Sequence, residues 1–359
     1  PYLSIDISGG PDAPFYPVTY VDQTPVDLLT TSDYRLSTIL LRRIPKGTFM
    51  MGSPEDETGR YDDNRETEHE VTLTQDYYMA VFEVTQRQWE LTMGDNPSIH
   101  TESGATRPVD SVSWDAARGG AWPPTTNNQR PATGSFVQVL RSKAALPFDL
   151  PTDAQWEYAC RAGTTRAYND YTKNNGQGAD CTVPEDARDP ALDLLARYAH
   201  NGGSTGYHVP VGSYASNAFG LYDMHGNMYE WCLDRHQTDL GSAPATDPKG
   251  PDTGTLRVIR SGGFTNYARV CRSANRYGVP ITGLADRGFR LALPGVEDLP
   301  VLHLTFNEGT GTTARDSSGN GHDGALGSGP VWAAGVHGGA LSFDGVDDHV
   351  STTSQPHLS

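Results

Sequence analysis

Nowhere along the 359 residues is there an apolar run of about 18 residues, the length a helix needs to cross a bilayer. The opening PYLSIDISGG has neither the charged segment nor the apolar segment of a signal peptide. It reads as the interior of a longer chain, and we expect the sequence to be a trimmed piece. Basic charge is scarce: 27 Lys and Arg stand against 44 Asp and Glu, a net charge of -17. Nucleic-acid binders release counterions by placing cations on phosphates, so this balance argues against nucleic acid. It argues equally against anionic membrane surfaces. Cysteines are few and scattered. Cys160, Cys181, Cys232 and Cys271 contain no CxxC pair, which excludes a zinc knuckle or a thioredoxin-type motif. Their even number is compatible with two disulfides without requiring them.

What is abundant is glycine and proline, 39 and 25 residues, a load that favours short strands and loops. The acidic surplus suits an extracellular protein or carboxylate-held calcium, and it equally serves plain solubility. The length exceeds what one hydrophobic core usually serves, so two domains are expected. Residues 1–38 form a leader in which YLSIDIS alternates like a half-buried strand before a proline-rich stretch. The main body covers 39–293. Strands are expected at Ile39–Ile44, Thr48–Met51 and Glu70–Thr74. Helices are expected at Thr85–Met93, at Ser113–Ala121, and at Thr152–Arg161, where Thr152 and Gln155 have capping-box spacing. Residues 122–148 and 163–197, rich in Asn, Gly, Thr and Pro, read as long loops. Composition breaks at a linker, 294–300. Beyond it, 301–359 alternates strand-like pieces (Val301–Phe306, Ala340–Phe343, His349–Thr352) with Ser-Gly, Asn-Gly and Asp-Gly turns. About 60 residues are too few for a β-sandwich, so this is the start of one, completed further along or by other chains.

Six segments in order resemble the formylglycine-generating enzyme and sulfatase-modifying factor family: IPKGTFMMGS (44–53), VFEVTQRQW (81–89), RPVDSVSWDAA (107–117), LPTDAQWEYACRAGT (150–164), NAFGLYDMHGNMYEW (217–231), and RSGGF with CRSANR and GFRLAL (260–293). The resemblance implies an irregular α+β, C-type-lectin-like domain with little regular secondary structure, here followed by a partial all-β jelly roll. It also implies a shallow cleft near Arg260–Arg290. The family's oxidase chemistry needs two cysteines five residues apart, because thiolates suit Cu(I). Here the stretch reads SGGFTNYARVCRSANR. Tyr267 stands at the first cysteine's position, the second falls in a shortened region, and Phe264 replaces the active-site serine. No copper is therefore expected. Iron, which a related branch binds through three histidines in a helical domain, is not expected either: the leader has no histidine, and no His-x3-His occurs.

Other family features carry over by position. Asp223, the carbonyls of Gly226 and Met228, and Glu230 match a structural calcium turn, oxygen ligation with a glycine permitting the tight bend; the plainer reading is a capped turn and an ion pair. A second calcium site has no acidic match at HNGGSTGY. Cys160 and Cys271 match a family disulfide, while the pairing of Cys181 and Cys232 stays open. Thr265, Asn266, Tyr267, Arg269, Asn275, Tyr277, Ile281, Thr282 and Asp286 alternate with framework residues and are candidates for a recognition surface. Trp89, Trp114, Trp156 and Trp231 read as core. Arg260, Arg272 and Arg290 read as partners of carboxylates such as Glu83 or Glu157. The C-terminal stretch resembles a laminin-G-like, concanavalin-type domain, with Asp316, Asn320, Asp344 and Asp347 as oxygen ligands for calcium or a glycan, or simply as turn formers. Together these point to a non-catalytic, secreted or cell-surface module that binds a protein or glycan or contributes to a self-assembled surface structure. The rival is an enzyme of altered chemistry in the same cleft.

Overall fold

The alternation in YLSID becomes a strand, Tyr2–Asp6, inserted between Val18–Val21 and Thr38–Ile44. The computed structural model from which this is read describes residues 1–102, 104–122, 130–183, 187–202, 206–293, 304–316, 323–335 and 339–352. Thr38–Ile44 also pairs with Tyr77–Ala80, and that strand with Ala292–Leu293, completing a five-stranded antiparallel sheet. The leader thus contributes two strands to the sheet of the main body. Gly47–Met51 and His69–Leu73 form an antiparallel pair, with Ala245–Thr246 alongside. A four-stranded sheet joins Tyr277–Val279, Arg257–Arg260, Tyr229–Arg235 and Arg287–Gly288 in that order. The architecture is mixed, mostly strands with few helices.

Gln86–Met93 and Asp153–Arg161 are helices with complete capping boxes at Thr85/Gln88 and Thr152/Gln155. The middle helix is shorter than expected, Trp114–Ala117. It stops where Gly119 and Gly120 turn to positive φ, 58° and 74°. One expectation fails outright: the span 122–148 contains a helix, Phe136–Ala144, capped by Ser135. Phe136, Val137, Leu140 and Ala144 line its buried face, a helical spacing masked by the polar residues ahead of it. The span 163–197 is irregular, yet Tyr168, Cys181, Leu192 and Leu195 build a small apolar cluster of their own. Trp89, Trp114, Trp156 and Trp231 are all buried.

The linker 294–300 and Asn320 lie outside the described residues, as do Val301–His303. In the C-terminal part, Gly324–Gly327 pairs with Thr313–Ala314 and His349–Thr352, and Val331–Ala334 forms a hairpin with Gly339–Ser342.

Candidate functional site

Strand Arg257–Arg260 runs into a sharp turn at Ser261 and Gly262, with φ of 80° and 73°. A Cβ on Gly262 would stand 2.9 Å from the Cys271 sulfur and 3.1 Å from the Val270 carbonyl oxygen, so only glycine fits. The turn drives Phe264 inward. Its ring is 4 % exposed and meets His100 and His208 edge-on, at 5.7 and 5.6 Å between centroids.

Around this floor the candidate surface residues divide. Thr265, Tyr267, Ile281 and Thr282 are exposed, and Tyr267 stacks on His200. Arg269 lies over Tyr61, and Tyr61 meets Tyr277 edge-on, with Arg65 over both rings. Four side chains therefore make one aromatic and cationic group. Asp286 sits 3.9 Å from Arg287, and burial raises its carboxyl. Asn266 is half-buried and braces the turn, accepting the Gly263 N–H at 2.8 Å. Asn275 is a correction. It is fully buried, its amide donates to the Val270 carbonyl at 2.7 Å, and it is framework rather than surface.

The expected Cys160–Cys271 bridge is also corrected: all four cysteines are free thiols, and all are buried. Cys160 packs in one apolar cluster with Met51 and Trp156, Cys271 in another with Tyr168 and Cys181. What faces Cys160 is Ser273, its hydroxyl 3.6 Å from the sulfur. Burial pushes the Cys160 thiol up to about 12 and raises the other three.

The acidic turn is bound up with an arginine. Both Glu230 oxygens accept from Arg290, at 2.7 and 2.6 Å, and the Trp156 indole donates to one of them. Asp223 is buried at φ 55°. One of its oxygens accepts the Gly212 N–H, and the other has no hydrogen-bond partner among the described residues. The Gly226 carbonyl accepts from Ser261, and the Met228 N–H goes to Glu83. Burial, reinforced by Glu230, lifts the Asp223 carboxyl to about 6. Burial, then Asp223 and Glu230, raises Glu83. The orphaned Asp223 oxygen, and a surplus of carboxylate over the single guanidinium, fit a bound cation; Glu230's two charged hydrogen bonds hold it to Arg290 at the same time.

Arg260 and Arg272 also find carboxylates, as expected, but Glu83 is not among them. Arg260 pairs with Glu157 and Asp153, Arg272 with Glu66 and Glu57. Among the described residues Glu83 forms no ion pair with an arginine, and instead accepts from Asn227 and Met228. In the C-terminal part Asp344 and Asp347 converge with Asp348 at an exposed turn. Asp316 is bridged instead to Leu304 and is not part of that group.

A group that the sequence did not disclose lies against Phe264. His100 Nδ1 and His208 Nε2 each stand 3.1 Å from the same oxygen of Asp110. The other Asp110 oxygen accepts from the Ile99 N–H and the Ser111 hydroxyl. Burial alone would raise the Asp110 carboxyl, but hydrogen bonds from His208, Ile99 and Ser111 outweigh it and hold it at about 2. Burial lowers His208 against the pull of Asp110. Tyr207, exposed, packs on His100 at 4.4 Å. His100 and Asp110 come from one stretch, ten residues apart, and His208 from another 98 residues on, so no local spacing betrays the group.

Residues 35–294 match the family profile described as the sulfatase-modifying factor enzyme 1-like domain. A formylglycine-generating enzyme of Thermomonospora curvata is 35% identical over 163 residues, 40% of this chain and 48% of that protein. The chain spans about half the length of the bacterial formylglycine-generating enzymes it matches. The chaperone protein LppX of Paenibacillus barcinonensis is 28% identical over 239 residues, 62% of this chain and 81% of that one. Among solved structures, Treponema denticola variable protein 1 superposes with a TM-score of 0.54 at 26% identity, covering 71% of this chain and 95% of that one. PvdO from Pseudomonas aeruginosa shares the fold, with a TM-score of 0.55 at 22% identity over 70% and 93% of the two chains.

Proposed function

Because the chain belongs to the sulfatase-modifying factor enzyme 1-like family, we propose that it keeps the family's scaffold, read as C-type-lectin-like, while serving as a non-catalytic binding module. The observation that carries this reading is the make-up of the surface around Tyr267. Its reactive segment presents Thr265, Tyr267 and the Tyr61, Arg65, Arg269 and Tyr277 group, while every cysteine of the chain is buried with its thiol pKa raised. Thiols packed inside apolar clusters lack the exposed, electropositive surroundings that make a cysteine reactive. Aromatic and guanidinium side chains on a rigid frame are good anchors for a partner. The occupant we favour is a polypeptide over a glycan, since similarity to the chaperone LppX extends over more of both chains than similarity to the enzymes. Calcium in the Asp223–Glu230 turn, a cell-surface location, and a laminin-G-like identity for 301–359 complete the proposal.

The test is a Cu(I) titration together with incubation of a cysteine-containing peptide under oxygen. We expect no stoichiometric copper and no aldehyde. Aldehyde formation would return the protein to the enzymes of its family.

A further inference from the structure

We propose that His100, Asp110 and His208 form a binding site for a borderline divalent metal ion of the zinc type, beside Phe264. Three residues each offer one ligand atom, all within 4.8 Å of one another. Two neutral imidazoles and one carboxylate are a donor set that suits zinc and its neighbours; calcium wants oxygen alone, and Cu(I) wants sulfur.

The hydrogen bonding of Asp110 supports the assignment. One of its oxygens is approached by three nitrogens at once: the His100 backbone N–H at 3.2 Å and the two imidazole nitrogens at 3.1 Å. A carboxylate oxygen has two lone pairs, so three donors oversubscribe it. A metal ion in place of the two imidazole protons turns both nitrogens from donors into ligands and removes the conflict. The spacing agrees as well. With bonds of about 2.0–2.1 Å, neighbouring ligand atoms in a tetrahedral site stand about 3.3 Å apart. The nitrogen-to-oxygen distances here are close to that edge.

The support a metal centre needs is in place. The second Asp110 oxygen is held by Ile99 and Ser111, which fixes the carboxylate's orientation. Phe264 walls one side with an apolar ring, and partly exposed His100 with exposed Tyr207 forms the mouth. Three protein ligands leave at least one coordination position for water or for a donor atom of a bound partner. The site is separate in residues from the Asp223–Glu230 turn, and it stands whether or not the cleft binds a polypeptide.

The experiment uses the full chain, stripped with a chelator and titrated with Co(II), whose visible absorption reports its coordination, followed by Zn(II) displacement. We expect one equivalent of cobalt with a ligand-field spectrum, displaced by one equivalent of zinc. In His100→Ala the affinity falls at least tenfold, and His100→Gln, which keeps the side chain's bulk, falls with it; circular dichroism shows both variants folded. No absorption at one equivalent, or unchanged affinity in either folded variant, would overturn the site. Because metal is read directly by absorption, a negative result here leaves the copper and aldehyde test of the cleft unaffected.

Discussion

Glu83, Asp223 and Glu230 are all buried, with one cation among them, the Arg290 guanidinium. Like charges held together in low dielectric destabilise the fold unless something neutralises them. The mutation Asp223→Asn separates two consequences of this. In a calcium chelator it removes one of the repelling charges, so the variant unfolds at the same temperature as the unaltered protein or a higher one. With calcium added in excess, the unaltered protein gains stability by mass action, about 2.7 kcal/mol at one hundred times the dissociation constant, and the variant gains none. Thermal unfolding in both conditions checks this, and equal shifts in the two proteins would reject the turn as a calcium site. Glycine at 226 has its own necessity, since a Cβ there would lie 2.3 Å from the Arg197 carbonyl oxygen.

Among the elements, helix Asp153–Arg161 shows how much a short local pattern determines. The Thr152 hydroxyl accepts the Gln155 N–H at 3.2 Å, and the Gln155 side chain returns the bond to the Thr152 N–H at 3.0 Å. Thr152→Ala should cost about 1 kcal/mol in urea unfolding, with Thr152→Ser recovering most of it. Such reciprocal caps, like the alternation of Tyr2–Asp6, depend on residues close in sequence and were therefore legible. Phe136–Ala144 was not, because Asn, Thr and Pro before it suggested a loop while its apolar spacing needed the core to give it meaning. Asn275 failed for the opposite reason: it lies in a run with surface character, and only the packing of the turn shows its amide spent on Val270. The Cys160–Cys271 pairing was carried by family position, whereas the sulfur contacts depend on which side each strand presents. His100 and Asp110 lie ten residues apart, but His208 is 98 residues beyond Asp110, and no spacing rule joins it to them.

For the molecule as a whole, pH is the sharpest probe. Burial and the charge of Asp153 push the Asp234 carboxyl up to about 7 from its ordinary 3.8. Between those values the folded protein holds a proton on Asp234 that the unfolded chain has released. Stability from this group is therefore present at low pH and lost as pH rises through the interval, by about 1.4 kcal/mol per pH unit. Asp234→Asn should flatten the stability profile between pH 4 and 7 in denaturant titrations. A profile as steep as that of the unaltered protein would show the slope to come from other groups.

The five-stranded sheet carries a consequence for the order in which the protein comes together. Two strands, Thr38–Ile44 and Tyr77–Ala80, separate Tyr2–Asp6 from Ala292–Leu293. Emerging from the ribosome, the first strands meet each other early, but the sheet gains its last edge only once residues near 293 are free. Pairings between such distant stretches close slowly, and the half-built sheet waits with an unpaired border exposed to other chains. Synthesis and folding are thus coupled in time, and the vulnerable interval lasts nearly as long as the domain takes to be translated.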